Sequence, residues 1–319
     1  MRVVSSAALP VDVRPILGEG IDLDAPCQGD FSRDQLVARL ADADALISLL
    51  RVQVDAELLA AAPKLRIVAN FAVGYDNVDL AAATERGIVV TNTPDVLTGA
   101  TADFTFAILL AAARRIVEGD ALARSGTWTG WAPGQLLGAD VSGRTLGLIG
   151  MGRIGRAVTR RAQGFDMQIV YASPRPVDIP GARHIGLPEL FAASDFVTLH
   201  CPLTPETERM INRSALCAMK TTAFLINTAR GGCVDEAALV RALQARDIAG
   251  AALDVFESEP KIHSGLVASP RVVLAPHAGS ATTTARTRMA EICATNVALR
   301  LTGRAPRTPV NPEVLEDRR

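Results

Sequence analysis

Three residues close, or closely follow, apolar runs that read as β-strands. Arg230 ends AFLINTAR, Glu259 follows IAGAALDVFES, and His277 ends RVVLAPH. In open parallel sheets the carboxyl ends of strands carry the ligand chemistry. An Arg there can grip a carboxylate bidentately, a Glu can keep a His protonated, and the protonated His can give its proton to a carbonyl that is receiving a hydride. Taken singly, each has a plainer reading: an ion pair, a loop carboxylate, a neutral histidine. The other histidines are His200 in TLHCP, and His184 and His263 in loop-like contexts.

A hydride needs a carrier. Gly150-Met151-Gly152-Arg153-Ile154-Gly155 spells GxGxxG. The strand-like TLGLIG precedes it, and RIGRAVTRRAQGF after it reads as a helix. In this context the first Gly permits the tight turn, the second lets the backbone approach a pyrophosphate, and the third packs helix on strand; N–H groups at the helix start meet the phosphates. The next strand ends in IVYASPRPV, where an acid usually accepts the ribose 2′-hydroxyl. No acid stands there, and Asp178 comes too late. Ser173, Pro174 and Arg175 offer a hydroxyl and a guanidinium fork suited to phosphate oxygens. The expectation is NADP(H) preferred with NAD(H) possible; the plainer alternative is a solvated Arg beside a permissive NAD site.

The elements that would position these groups alternate along the chain. ALISLL, LRIVANF and IVVTN read as strands, with helices in VDAELLAAAP and NVDLAAATERG between them. After Pro94, TADFTFAILLAAARRIVEGDALARSG reads as one long helix. A loop with Trp128, Trp131 and Pro133 follows. Six strand-like runs then come in turn: TLGLIG, MQIVYA, DFVTLHCP, AFLINTA, IAGAALDV and RVVLAPH. Apolar strands between helices indicate parallel sheets covered on both faces. Thr282 to Thr302 reads as a last helix stopped by Gly303. The implied organisation is a discontinuous first domain, 1–94 plus 283–319, and a cofactor domain, 95–282.

Bulk properties agree with a globular enzyme. The chain has 319 residues, with 33 basic against 34 acidic, so no basic stripe marks a nucleic-acid binder. The N-terminus MRVVSSAALP lacks a signal-peptide apolar core, and the longest apolar run, Phe104 to Ala113, is too short to span a bilayer. Five scattered cysteines without a CxxC suggest reduced thiols in the cytoplasm. No metal-ligand set stands out.

The runs VGYDNVDL, NTPDVLT, GLIGMGRIG, HCPLTPET, INTARGG, GAALDVFESEP and PHAGSAT resemble the D-isomer-specific 2-hydroxyacid dehydrogenases along nearly the whole chain. NTPDVLTGATADF, the Ser-Pro-Arg loop and WTGWAP are most similar to the glyoxylate/hydroxypyruvate reductase branch. The resemblance implies two doubly wound α/β domains, a flavodoxin-like substrate domain and a Rossmann NAD(P)-binding domain. It implies catalysis by Arg230, Glu259 and His277, with His277 the proton donor to a small 2-keto acid. Val73 and Gly74 would offer N–H groups to the substrate carboxylate, Ser48, Leu49 and Leu50 would size the pocket, and Asp254 would reach the nicotinamide carboxamide. Thr101, Met151 to Ile154, Ser173 to Arg175, Cys201, Pro202, Thr207, Thr228, Ala229 and Gly279 would line the cofactor. Relatives are usually dimers, and Trp131 is similar to a tryptophan that enters the partner's site.

Two departures stand out. Gly99 replaces a usual acid and is expected to loosen its loop, and Cys233 reads as a small apolar substitute. Formate dehydrogenases of the superfamily carry Gln where Glu259 stands. A short phosphoglycerate dehydrogenase, a broader 2-keto acid reductase and a cofactor-sensing binding protein are the competing readings.

Overall fold

The computed structural model describes residues 1–316; the last three residues of the expected 283–319 segment lie outside the described residues. Two compact units emerge, Met1–Leu97 with the chain from Ala281 onward, and Thr98–Ser280.

The first unit is built on five parallel strands: β1 (Arg2–Ser5), β2 (Asp22–Asp24), β3 (Ala45–Ser48), β4 (Ile67–Asn70) and β5 (Val89–Thr91), in the order β2-β1-β3-β4-β5. This is the flavodoxin-like order, with its switch point between β1 and β3. β3 and β4 are buried at every position, which is why they read as unbroken apolar runs. The helices between them start on side-chain caps: Asp55 accepts from the Leu58 N–H and Asp79 from the Ala82 N–H. The chain returns through helix Thr283–Leu301, capped by Thr282 and followed by Gly303 at φ +80°. Asn311 then ties the tail to the sheet, accepting from the Val90 N–H at 2.8 Å and donating to the Ile88 carbonyl at 3.0 Å.

The second unit holds seven parallel strands: β6 (Thr145–Ile149), β7 (Gln168–Ala172), β8 (Ala182–His184), β9 (Phe196–Leu199), β10 (Phe224–Asn227), β11 (Gly250–Leu253) and β12 (Val272–Leu274). Their order is β12-β11-β10-β9-β6-β7-β8, which reverses between β6 and β9 as in a Rossmann domain. Six were expected; the seventh, β8, is a short edge strand. His184 therefore belongs to a strand and not to a loop. Apolar clusters cover both faces: Val197, Leu225 and Ala251 pack on one side, Leu146, Phe196 and Ile226 on the other.

The long helix expected after Pro94 is two helices, Thr98–Ala113 and Ile116–Arg124. The physical reason lies at the Ala113 carbonyl, which accepts the Ala139 N–H at 2.8 Å from the returning chain and is lost to the helix ladder. Arg115 turns left-handed at φ +53°, and its guanidinium binds Glu118 at 2.6 and 3.0 Å as the second helix begins. Gly99, expected to loosen a loop, lies in the first turn of Thr98–Ala113.

Candidate active site

The phosphate loop starts where β6 ends. Gly150 takes φ +99°, and a Cβ there would come within 2.5 Å of the His200 carbonyl oxygen on the neighbouring β9 end. Only glycine satisfies both demands. Gly155 faces back onto the loop, where a Cβ would meet the Gly150 carbonyl oxygen at 2.3 Å. Gly152 differs: a Cβ there meets nothing within 4 Å. Its missing side chain serves no packing need, which fits a cradle over which a pyrophosphate lies. Helix Arg153–Gln163 begins at Gly152, so its first N–H groups open onto that space. Met151 is buried, Arg153 exposed and Ile154 half-buried beside them.

After β7, Ser173 is half-buried while Pro174 and Arg175 are exposed. The Ser173 hydroxyl donates to the Arg175 carbonyl at 2.5 Å, closing a small turn at the exposed Arg175.

Beyond β9, Cys201 is half-buried, with its thiol donating to the Met210 sulfur at 3.9 Å, and Pro202 is exposed. The Thr207 hydroxyl donates to the Pro202 carbonyl at 2.7 Å and accepts the Thr204 N–H at 2.8 Å, so it shapes this loop. His200 pairs with the Thr198 hydroxyl at 3.0 Å, and burial pushes its pKa down to about 3. It is a neutral imidazole at physiological pH and no candidate acid.

Arg230 sits on a turn that β10 and β11 squeeze between them. Asn227 accepts the Ala229 N–H at 2.9 Å and donates to the Arg230 carbonyl at 2.8 Å. Gly231 packs so tightly that a Cβ would come within 1.9 Å of the Phe256 carbonyl carbon. The Arg230 guanidinium reaches the Ala229 carbonyl at 2.8 Å, and its charge is felt at Glu259. Thr228 is bound through its hydroxyl to Thr105 at 2.9 Å, and Thr105 to the Thr101 carbonyl at 2.8 Å, which joins two of the expected cofactor-lining positions.

Glu259 and His277 meet: Nδ1 of the ring donates to Oε2 of the carboxylate at 2.8 Å. Burial pushes the Glu259 carboxyl up, but the hydrogen bond and charge of His277, the Phe256 N–H and the Arg230 charge overcome this, so it lies below its ordinary value. His277 takes φ +54°, a left-handed backbone uncommon for a non-glycine residue. Asp254 holds it there. Its carboxylate accepts the Ala278 N–H at 2.6 Å and the Gly279 N–H at 2.8 Å. Burial is the largest influence on this carboxyl and raises it; the two N–H bonds offset only part. Asp254, expected to reach a cofactor, is seen fixing the loop that carries His277. Asn227 was not singled out from the sequence, although an Asn closing an apolar strand before a glycine turn was the available signal.

In the first unit, Asn92 donates to the Val73 carbonyl at 2.7 Å and Asn70 to the Gly74 carbonyl at 2.8 Å. The turn is pinned through its carbonyls, and no protein acceptor takes the Val73 or Gly74 N–H among the described residues. Leu50 follows β3 and is half-buried. Trp131 is 82 % exposed, so within this chain it packs on little.

A glycine cradle at the switch point of a seven-stranded parallel sheet defines the second unit as a dinucleotide-binding domain. The profile of the D-isomer specific 2-hydroxyacid dehydrogenase NAD-binding domain matches residues 106–279, and the chain belongs to that family. It is 51 % identical over 298 residues to a glyoxylate reductase of Thermococcus onnurineus, covering 91 % of this chain and 89 % of that protein. A glyoxylate reductase of Thermococcus kodakarensis is 48 % identical, covering 100 % and 98 %. An NADPH-dependent glyoxylate/hydroxypyruvate reductase of Sinorhizobium meliloti, solved in complex with NADP and malonate, superposes with a TM-score of 0.85 at 35 % identity, covering 97 % of this chain and 96 % of that one.

Proposed function

We propose that this protein reduces glyoxylate to glycolate and hydroxypyruvate to the D-2-hydroxy acid glycerate, with NADPH preferred over NADH. The observation that carries the reading is the Glu259–His277 pair at 2.8 Å, held at the strand ends where Arg230 also lies. The names of the relatives point to the same substrates.

The residues fit a dinucleotide. Gly150, Gly152 and Gly155, with the helix start at Arg153, would take the pyrophosphate; Ser173 and Arg175 would take a 2′-phosphate. Asp254 spends one lone pair of each oxygen on an N–H and keeps others for the carboxamide. Met151, Ile154, Thr101, Pro174, Cys201, Pro202, Thr207, Thr228, Ala229 and Gly279 would line the remainder. When bound, the nicotinamide supplies the hydride.

The chain's own work is positional and electrostatic. Arg230 holds the substrate carboxylate, and its guanidinium polarises the keto oxygen; in the first unit, the N–H groups of Val73 and Gly74 are the candidate carboxylate donors. With Nδ1 engaged by Glu259, Nε2 of His277 gives the proton to that oxygen as the carbonyl carbon gains the hydride. Glu259 fixes the ring for this transfer. Residues 1–94 with 283–319 would be the substrate domain, with Leu50 limiting side-chain size, and 95–282 the cofactor domain.

We further read the protein as a cytoplasmic homodimer. Ile116, Val117, Trp128, Trp131 and Leu137 are exposed large apolar side chains on or just after helix Ile116–Arg124. Trp131 would reach the partner's site. Light scattering should return twice the chain mass.

The deciding experiment is steady-state reduction of glyoxylate, hydroxypyruvate and phenylpyruvate with NADPH and NADH in parallel. Fast turnover of the two small acids with NADPH supports the reading. Preference for phenylpyruvate replaces it with a broader reductase, and absence of turnover with a cofactor-sensing binding protein.

A further inference from the structure

The loop from Ser173 to Val177 is fastened at both ends by side chains of the two strands beside it. At its start, Nε2 of His184 lies 3.1 Å from the Ser173 carbonyl oxygen. A carbonyl can only accept, so the ring donates. At its end, the Tyr171 hydroxyl donates to the Val177 carbonyl at 2.6 Å and accepts the Val177 N–H at 2.8 Å. The two anchors support one another. Tyr171 and His184 are register partners across β7 and β8, and their ring centroids lie 5.1 Å apart.

Between the anchors, Pro174 and Pro176 each fix one backbone dihedral, and the Ser173 hydroxyl closes the turn on the Arg175 carbonyl. Pro174, Arg175 and Pro176 are all exposed. An exposed loop ordered in advance does not lose that freedom on binding, so more of the phosphate–guanidinium attraction remains as affinity. Tyr171 is buried in the core, whereas His184 is exposed and stands on the edge strand. Core packing does not require a histidine there; the Ser173 carbonyl does use its donor.

We propose that His184 is a positioning residue for cofactor discrimination: by holding the Ser173 carbonyl it sets where Arg175 meets the 2′-phosphate of NADPH. This rests on the reading that Ser173 and Arg175 take that phosphate. His184 acts through the loop and has no part in hydride or proton transfer.

The test compares His184→Phe, which keeps a ring against Tyr171 and loses the donor, with His184→Gln, which restores an amide donor; Arg175→Ala is the control. Values of kcat and KM for NADPH and NADH are measured at saturating glyoxylate, with the melting temperature of each variant. His184→Phe should raise KM for NADPH about fivefold, the worth of one hydrogen bond. It should leave kcat and KM for NADH unchanged, and His184→Gln should recover most of the loss. An unchanged NADPH/NADH ratio in His184→Phe, with Arg175→Ala still lowering it, overturns the role of His184 and spares that of Arg175. Parallel losses with both cofactors and a lower melting temperature also overturn it, as a structural effect. A wild-type protein indifferent to the two cofactors, with Arg175→Ala silent, removes the underlying reading and the proposal with it.

Discussion

Asp254 binds three consecutive peptide N–H groups of the segment that carries His277. Its carbonyl accepts from His277 at 2.9 Å, and its carboxylate from Ala278 at 2.6 Å and Gly279 at 2.8 Å. The left-handed backbone of His277 is disfavoured by roughly 1–2 kcal/mol for an L-residue, and this clamp offsets it. A buried carboxylate is thereby spent on holding a loop in the conformation that delivers a ring.

Asp254→Asn should expose that cost. The amide keeps one accepting oxygen and turns an NH₂ toward the other backbone donor, leaving a buried N–H unsatisfied. Stability should fall by about 1–3 kcal/mol, read by urea unfolding. With the His277 ring less well placed, kcat should drop about 10- to 100-fold. Unchanged kcat would show that the clamp does not govern the ring.

Glu259→Gln keeps the shape and removes the charge opposite Nδ1. We expect kcat to fall about a hundredfold, with KM for the keto acid little altered. The acid side of the stability profile should change as well. Glu259 lies below its ordinary value in the folded protein, so its contribution is complete above the ordinary carboxylate range and lost as pH falls through the lowered value. Melting temperatures of the wild type should therefore fall more steeply below about pH 4 than those of Glu259→Gln.

The glycines of the phosphate loop should separate by role. Gly155→Ala drives a Cβ to 2.3 Å from the Gly150 carbonyl oxygen, and overpacking of this kind costs about 1–3 kcal/mol. Gly152→Ala meets nothing within 4 Å and should melt with the wild type. Its added methyl enters the space assigned to the pyrophosphate, so KM for NADPH should rise about tenfold or more. Normal cofactor affinity in Gly152→Ala would remove the pyrophosphate from that position.

His200 gives a second pH signature. Its pKa is lowered to about 3 in the folded protein, so between there and its ordinary value near 6.5 the unfolded chain binds the extra proton. Stability is therefore lost as pH falls through that window, by up to about 1.4 kcal/mol per unit. Unfolding at pH 4, 5, 6 and 7 should show His200→Asn flatter than the wild type.

The parts of this molecule legible in the sequence are those where burial dictates residue type. β3, β4 and β9 are buried at every position and read as apolar runs, and the glycines of the fingerprint answer to backbone contacts that forbid a side chain. Two of the four edge strands were not legible: β2 is Asp-Leu-Asp and β8 is Ala-Arg-His, with exposed or only partly covered positions and no apolar signal, whereas the edge strands β5 and β12 read as IVVTN and RVVLAPH. The break at Arg115 was hidden for another reason. Its cause is a hydrogen bond from Ala139, and no local preference in an Ala- and Leu-rich stretch announces a competitor 26 residues on. The same holds at the site. Arg230, Glu259 and His277 stood out by type and place, but the grip of Asp254 on Ala278 and Gly279 spans two strand ends and has no sequence signature.

The interruption at Arg115 divides one stretch of chain into two kinds of order. Thr98–Ala113 buries Ala102, Thr105, Phe106, Ile108 and Leu109 in the second unit, whereas Ile116–Arg124 buries none of its residues. The first helix should exchange its amide hydrogens only with global unfolding; the second, with no core of its own, should open locally and far more often. In deuterium exchange the protection should drop at Arg115, and recovery of that protection at high protein concentration would mark the second helix as an arm that another copy of the chain completes.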